Sequence, residues 1–189
     1  MDNNITLTSA DEPIRLDSIC ETNNGGILYL TMAPGKKQKS IKDGKNDWDR
    51  CLMTDLSDIK DKYEIDLVVC LLEHHEFSFL KIHDYPETVK EYGMDILHYP
   101  IRDKDIPDSM SEFHEVVKKI HSRLYNGEKI VIHCAGGVGR SGTLATAILC
   151  RSGFEPFDAI KIVQERRLNS IKRPSQQTFV CEYFYYYCR

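Results

Sequence analysis

The sequence has no CxxC pair, no apolar run long enough to cross a bilayer, and no basic stretch leading into an apolar core at its start. The first absence comes with an odd count of seven scattered cysteines, at 20, 51, 70, 134, 150, 181 and 188. That pattern excludes a disulfide framework and implies free thiols in a reducing compartment, the cytoplasm. From the second absence no membrane-spanning helix is expected, and from the third no secretory leader. The closing Tyr-Tyr-Tyr-Cys-Arg is not a prenylation box, so no membrane partner is expected. Positive charge is not in excess either: 25 Lys and Arg stand against 29 Asp and Glu, a net −4. No global field draws such a chain to nucleic acid. Internal repeats, linkers and low-complexity segments are missing as well. What remains is 189 residues, 41% hydrophobic and 29% charged, which suits one domain with a full core.

Residues 1–25 are a lead-in to a domain over 26–189, polar and irregular over 1–24 and read as either an ordered segment or a loose arm. Gly26–Thr31 reads as a strand, and Ala33-Pro-Gly-Lys-Lys37 turns the chain. Lysines 36, 37, 39, 42 and 45 then form a solvated basic loop, with a basic lip for an anionic substrate as the alternative. Asp47 is expected to cap a helix over 48–63, because Trp48, Leu52, Leu56 and Ile59 recur at helical spacing. Asp66–Leu72 is a continuous apolar run that suits a strand buried on both faces. Glu73-His-His-Glu76 lacks metal-ligand spacing and reads as a polar loop. A short helix ends at Gly93, a strand covers 96–101, and Asp108 or Ser109 caps a helix with the stripe Phe113, Val116, Val117, Ile120 and Leu124. Lys129–His133 is the next buried strand. Helices follow over 141–152, 156–167 and 175–188. Strands alternating with helices give an α/β fold, one three-layer domain with a mostly parallel central sheet flanked by helices.

The most informative stretch is Val131-Ile-His-Cys-Ala-Gly-Gly-Val-Gly-Arg-Ser-Gly-Thr143. Cys134 sits at the carboxyl end of a buried strand, where ligands bind in open α/β sheets. Five residues separate it from Arg140: Ala135, Gly136, Gly137, Val138 and Gly139. Such a loop can wrap one tetrahedral anion with inward N–H groups and the start of a helix. The same field favours a thiolate, so the pKa of Cys134 should fall well below about 8.5. Arg140 supplies a planar fork for a phosphate face. A nucleophile, an anion cradle and a fixed cation in one loop point to phosphoryl transfer through sulfur.

His133–Ser141 resembles the His-Cys-(five residues)-Arg-Ser/Thr loop of the cysteine-dependent protein phosphatases. Ala33-Pro-Gly-Lys-Lys, Trp48-Asp-Arg, Val69–Glu76, Pro100-Ile-Arg-Asp103, Ile106-Pro-Asp108 and Arg173-Pro174 follow in matching order. Together they are similar to the dual-specificity branch, of the cyclin-dependent kinase inhibitor 3 (kinase-associated phosphatase) type and its bacterial relatives. The resemblance implies a protein tyrosine phosphatase-like fold, no cofactor and no metal. Its implied substrate is a phosphoprotein, with a protein kinase among the candidates. It also implies roles. Cys134 would attack phosphorus. Arg140 and the N–H groups of 135–140 would hold the equatorial oxygens. Ser141 would hydrogen-bond the sulfur, and His133 would orient the loop through hydrogen bonds. Asp103 stands where the family keeps its general acid, with Asp105 and Asp108 as rivals, and Arg102 beside it would tune or pair it. Gln177 would position the hydrolytic water, or else is an ordinary surface residue. Cys70 would guard Cys134 as a reversible disulfide partner, or else is a core cysteine.

Other readings fit less well. A nucleotide P-loop needs Lys-Ser/Thr after its last glycine. A rhodanese-like sulfurtransferase also uses a loop cysteine, but the five-residue gap before Arg140 and the distant Asp103 favour phosphate chemistry. Phosphoinositide phosphatases usually carry lysines inside the loop, and here there are none. An acidic chain disfavours the RNA triphosphatases. From another class, a phosphoprotein- or kinase-binding adaptor with little turnover is the alternative.

Overall fold

A computed structural model describes residues 5–40 and 46–189. In chain order the strands are β1 (Thr6–Thr8), β2 (Asp17–Glu21), β3 (Ile27–Thr31), β4 (Lys37–Gln38), β5 (Asp47–Asp49), β6 (Leu67–Cys70), β7 (Asp95–His98) and β8 (Lys129–His133). The helices are α1 (Leu52–Tyr63), α2 (His74–Phe79), α3 (Tyr85–Glu91), α4 (Met110–Tyr125), α5 (Gly139–Arg151), α6 (Pro156–Arg166) and α7 (Pro174–Tyr187).

The main sheet has the order β2-β3-β8-β6-β7, and β1-β5-β4 form a small second sheet. From β3 to β7 all neighbours are parallel, and β2 closes one edge antiparallel to β3. β6 and β8 lie inside the sheet, so side chains on both faces are covered. Their unbroken apolar sequences follow from that position. Alternate residues then divide into two cores. Leu67, Val69, Ile130 and Ile132 meet α4, α5, α6 and α7 on one face. Val68, Cys70 and Val131 meet α1, α2 and α3 on the other. This is the expected three-layer α/β arrangement.

Ser109 caps α4, its Oγ accepting from Glu112 N at 3.3 Å, and Phe113, Val117, Ile120 and Leu124 form the buried stripe. Small residues at Gly142, Ala145 and Ala147 let α5 run through the interior against α4, α6 and α7. The β8-to-α5 connection is therefore a loop held at both ends by core.

Three expectations change. Residues 47–49 are a strand, and the helix begins at Leu52 after Cys51. Asp47 caps nothing: its Oδ1 accepts from Ser40 N at 2.7 Å, while the backbone around Trp48 pairs with β1 and β4. Sheet pairing overrides the helical spacing of Trp48. Residues 5–24 are not irregular, since they supply β1 and β2. Glu73 to Glu76 is not a loop, because Glu73 caps α2 and its N–H donates to Glu76 Oε2 at 2.8 Å. Of the five lysines, Lys42 and Lys45 lie outside the described residues. Lys39 is exposed and Lys37 pairs with Asp49, but Lys36 is buried over the Trp48 ring, 4.9 Å from its centroid.

Candidate active site

β8 carries Cys134 to the carboxyl end of the sheet, and the chain then turns through Ala135–Val138 into α5. The turn is tight because Gly137 adopts φ +67° and its α-carbon lies against β3. A Cβ there would come within 1.8 Å of the Thr31 carbonyl oxygen, so only glycine fits. Ala33 N–H donates to Ala135 O at 3.3 Å and fixes the other side of the turn. Within it the Gly137 N–H donates to Cys134 Sγ at 3.2 Å. Burial pushes the Cys134 thiol up, but the Arg140 charge and polar groups of Ser141 and Val138 more than offset it, and the net shift is downward. The Ser141 hydroxyl is buried without an aligned partner, and its nearness to Sγ favours the thiolate.

Arg140 is 2% exposed and almost fully engaged. NH1 donates to Glu76 Oε2 at 2.6 Å and to Ile101 O at 2.9 Å, and NH2 to Glu76 Oε1 at 2.9 Å and to Asp103 Oδ1 at 3.1 Å. Burial opposes its charge, but Glu76, Cys134 and Asp103 together raise its pKa. Glu76 is likewise pushed up by burial and drawn down further by Arg140, for a net lowering. Sequence reading missed Glu76, which it left in a polar loop. The capping pattern Glu73…Glu76 was the available signal, since it fixes the first turn of a helix.

Cys134, Arg140 and Asp103 line one cleft of about 310 Å³, with Gly136, Val138 and Gly139 as its floor. Asp103 is half exposed, anchored through its own N–H to Glu73 Oε2 at 3.3 Å. Its rivals are occupied elsewhere. Asp108 pairs with Arg102 at 2.5 Å, and Asp105 Oδ1 accepts from Ile106 N at 2.9 Å. Arg102 thus pairs Asp108 rather than Asp103. Lys104, Asn169, Lys172, Arg173 and Gln176 complete the rim.

Three further residues named from sequence are placed as follows. Gln177 is turned away, its Nε2 donating to Ile171 O at 2.9 Å. Its neighbour Gln176 lines the cleft instead, fully buried, with Nε2 donating to Asp105 O at 3.1 Å and Oε1 without a partner. Gln176 stands three residues before Phe179 and seven before Tyr183, on the buried face of α7, and Gln177 is one position off that face. The His133 ring is buried beside the backbone of Cys134, whose polar contact partly offsets the effect of burial on its charge. Neither ring nitrogen has an aligned partner, the ring meets Tyr85 edge-on at 5.1 Å, and burial lowers its pKa to about 3. Cys70 is a core cysteine, packed with the α1–α3 core, whereas Cys134 belongs to the other core. Burial pushes the Cys70 thiol up to about 12, and both cysteines are free.

The architecture is that of the protein tyrosine phosphatase-like class. Within it, residues 52–185 match the family described as dual specificity phosphatase, catalytic domain, and the chain belongs to that family. Cyclin-dependent kinase inhibitor 3 of Mus musculus is 28% identical over 167 residues, 87% of this chain and 75% of that protein. Tyrosine-protein phosphatase non-receptor type 4 of Homo sapiens is 34% identical over 87 residues, 42% of this chain but only 9% of that protein's length. A solved structure of kinase associated phosphatase (KAP), with serine substituted for its catalytic-site cysteine, superposes with a TM-score of 0.79 at 23% identity. The superposition covers 90% of this chain and 94% of that one.

Proposed function

We propose that the protein is a protein phosphatase, hydrolysing phosphotyrosine, phosphoserine/threonine or both through a cysteinyl-phosphate intermediate. The observation that carries this reading is the division of labour on Arg140. Glu76 and the Ile101 carbonyl occupy its inner donors. Asp103 occupies one outer N–H, and Nε donates to no group among the described residues. A phosphate entering the cleft takes Nε–H and displaces Asp103 from NH2. One binding event thus fills the fork and frees the carboxyl for proton transfer.

The steps balance as follows. Cys134 Sγ forms a bond to phosphorus as the P–O bond to the substrate breaks, and the Asp103 carboxyl gives its proton to the leaving oxygen. Water then attacks the phosphorus and the S–P bond breaks. The water's proton passes to Asp103, and the thiolate and inorganic phosphate are regenerated. Arg140 and the N–H groups of 135–140 hold the equatorial oxygens throughout. Ser141 steadies the sulfur as it leaves, and Gln176 Oε1 offers the water an acceptor. An adaptor would need neither a nucleophile nor a proton donor, and the shared cleft of Cys134 and Asp103 supports the enzyme instead. The substrate is a phosphoprotein, with a protein kinase as the candidate suggested by the names of the relatives. The scattered free thiols fit the cytoplasm.

Hydrolysis of a small aryl phosphate tests the reading. Wild type should turn it over and Cys134→Ser should lose activity by about 10³-fold or more, as loss of a nucleophile does. Equal rates in the two proteins would sink the proposal.

A further inference from the structure

Two carbonyls of the phosphate loop face away from the cleft and end on one side chain. Arg167, just after α6, donates from Nε to Gly137 O at 2.5 Å and from NH2 to Gly136 O at 3.1 Å. Its NH1 donates to Asp17 Oδ2 on β2 at 2.5 Å. The Asp17 Oδ1 in turn accepts from Arg15 Nε at 2.6 Å. The Arg167 and Asp17 side chains are 13% and 10% exposed, so water competes little for this pair.

The direction of these bonds matters more than their number. In a trans peptide the C=O of one residue and the N–H of the next point to opposite sides. Pinning the Gly136 and Gly137 carbonyls outward therefore aims the N–H groups of Gly137 and Val138 inward. The Gly137 N–H is the one that reaches Cys134 Sγ. Glycine-rich backbone does not hold such an orientation by itself. A rigid guanidinium fork spanning two successive carbonyls does, and a lysine could not.

We propose that Arg167, held by Asp17, is a positioning residue that sets the inward aim of the phosphate loop, so that the N-terminal edge strand tunes the grip on phosphate. Arg167 and the loop lie within residues 52–185, the stretch that matches the family, whereas Asp17 comes from the part of the chain that match does not reach. The kinetic consequence rests on the phosphatase reading above, and the binding consequence does not.

The test uses full-length Arg167→Met, Arg167→Lys and Asp17→Asn. Three quantities are measured: binding of inorganic phosphate by calorimetry in a Cys134→Ser background, kcat and KM on an aryl phosphate, and the pH dependence of Cys134 alkylation by iodoacetate. Arg167→Met should weaken phosphate binding about 10-fold or more and lower kcat/KM by about 10²-fold, the scale of a misplaced reacting group. Alkylation should shift to higher pH. Asp17→Asn should move all three the same way by less, and adding it to Arg167→Met should cost nothing further, as for residues that act as one unit. Arg167→Lys should regain melting temperature without regaining phosphate affinity. If Arg167→Met does not fold, the lysine and asparagine variants carry the same comparison. Folded variants with wild-type phosphate affinity and alkylation profile would overturn the proposal, as would simple addition of the two effects. A wild type that binds phosphate without turnover would remove the phosphatase reading and leave this one standing on the binding arm.

Discussion

Glu76 grips Arg140 with both carboxylate oxygens, at 2.6 and 2.9 Å, across 64 residues of sequence. The side chains are 8% and 2% exposed, so neither charge has water to fall back on. Glu76→Ala should destabilise the protein by about 3–5 kcal/mol in urea unfolding, the usual result of leaving a buried charge unpaired. Glu76→Gln should cost less, because the amide still accepts. The folded-state pKa of Glu76 is lowered from 4.5, so its contribution is complete above about that pH and fades as pH falls through the folded value. The glutamine variant should therefore show a flatter loss of stability in acid than wild type.

Asp103 should be the proton donor. Asp103→Asn is expected to slow aryl phosphate hydrolysis by about 10²-fold and to remove the alkaline limb of the pH–rate profile. Asp105→Asn should change the rate little, since that side chain faces Ile106 N and Arg102. A larger loss at Asp105 than at Asp103 would reverse the assignment.

The two adjacent glutamines should separate cleanly. Gln176→Ala removes a buried, unpartnered side-chain oxygen on the cleft rim and the tie to the Asp105 carbonyl. It should slow breakdown of the phosphoenzyme by about 10-fold or more, a positioning effect, and produce a burst of product in rapid-mixing kinetics. Gln177→Ala should leave both phases near wild type. The opposite pattern would return the role to Gln177.

Lys36 should leave a signature in stability against pH. Burial, then Arg50, lower its pKa from 10.5 to about 8, with the Cys134 thiolate pulling the other way. Between those values the unfolded chain binds more protons than the folded one, so this group's contribution rises with pH. Wild type should gain stability relative to Lys36→Met from about pH 8 to pH 10.5, measured by urea midpoints at constant ionic strength. A difference that stays flat over that window would contradict the shift.

The order of elements was legible because each rests on a local pattern. Buried runs at 67–70 and 129–133, the stripe Phe113–Val117–Ile120–Leu124 and the cap at Ser109 need no distant partner to be recognised. Cys134 and Arg140 were legible for the same reason, since one stretch of seven residues, 134–140, holds both. What escaped was long-range. Glu76 acquires its role only when α2 packs under Arg140, and Asp17 only when β2 joins the sheet beside Arg167. Trp48 misled because its spacing from Leu52 is helical while its backbone is claimed by β1 and β4. The polarity of His133 shows in a sequence, whereas its burial against Tyr85 does not.

The place of β3 has a practical consequence for anyone producing the protein. Every backbone bond that β8 makes on its outer side comes from Ile27–Thr31, ahead of the segment that matches the family. A recombinant fragment trimmed to residues 52–185 would leave the strand that delivers Cys134 with one flank bare. Such a flank recruits other chains. The trimmed fragment should therefore aggregate, and gel filtration beside the full-length chain would reveal it.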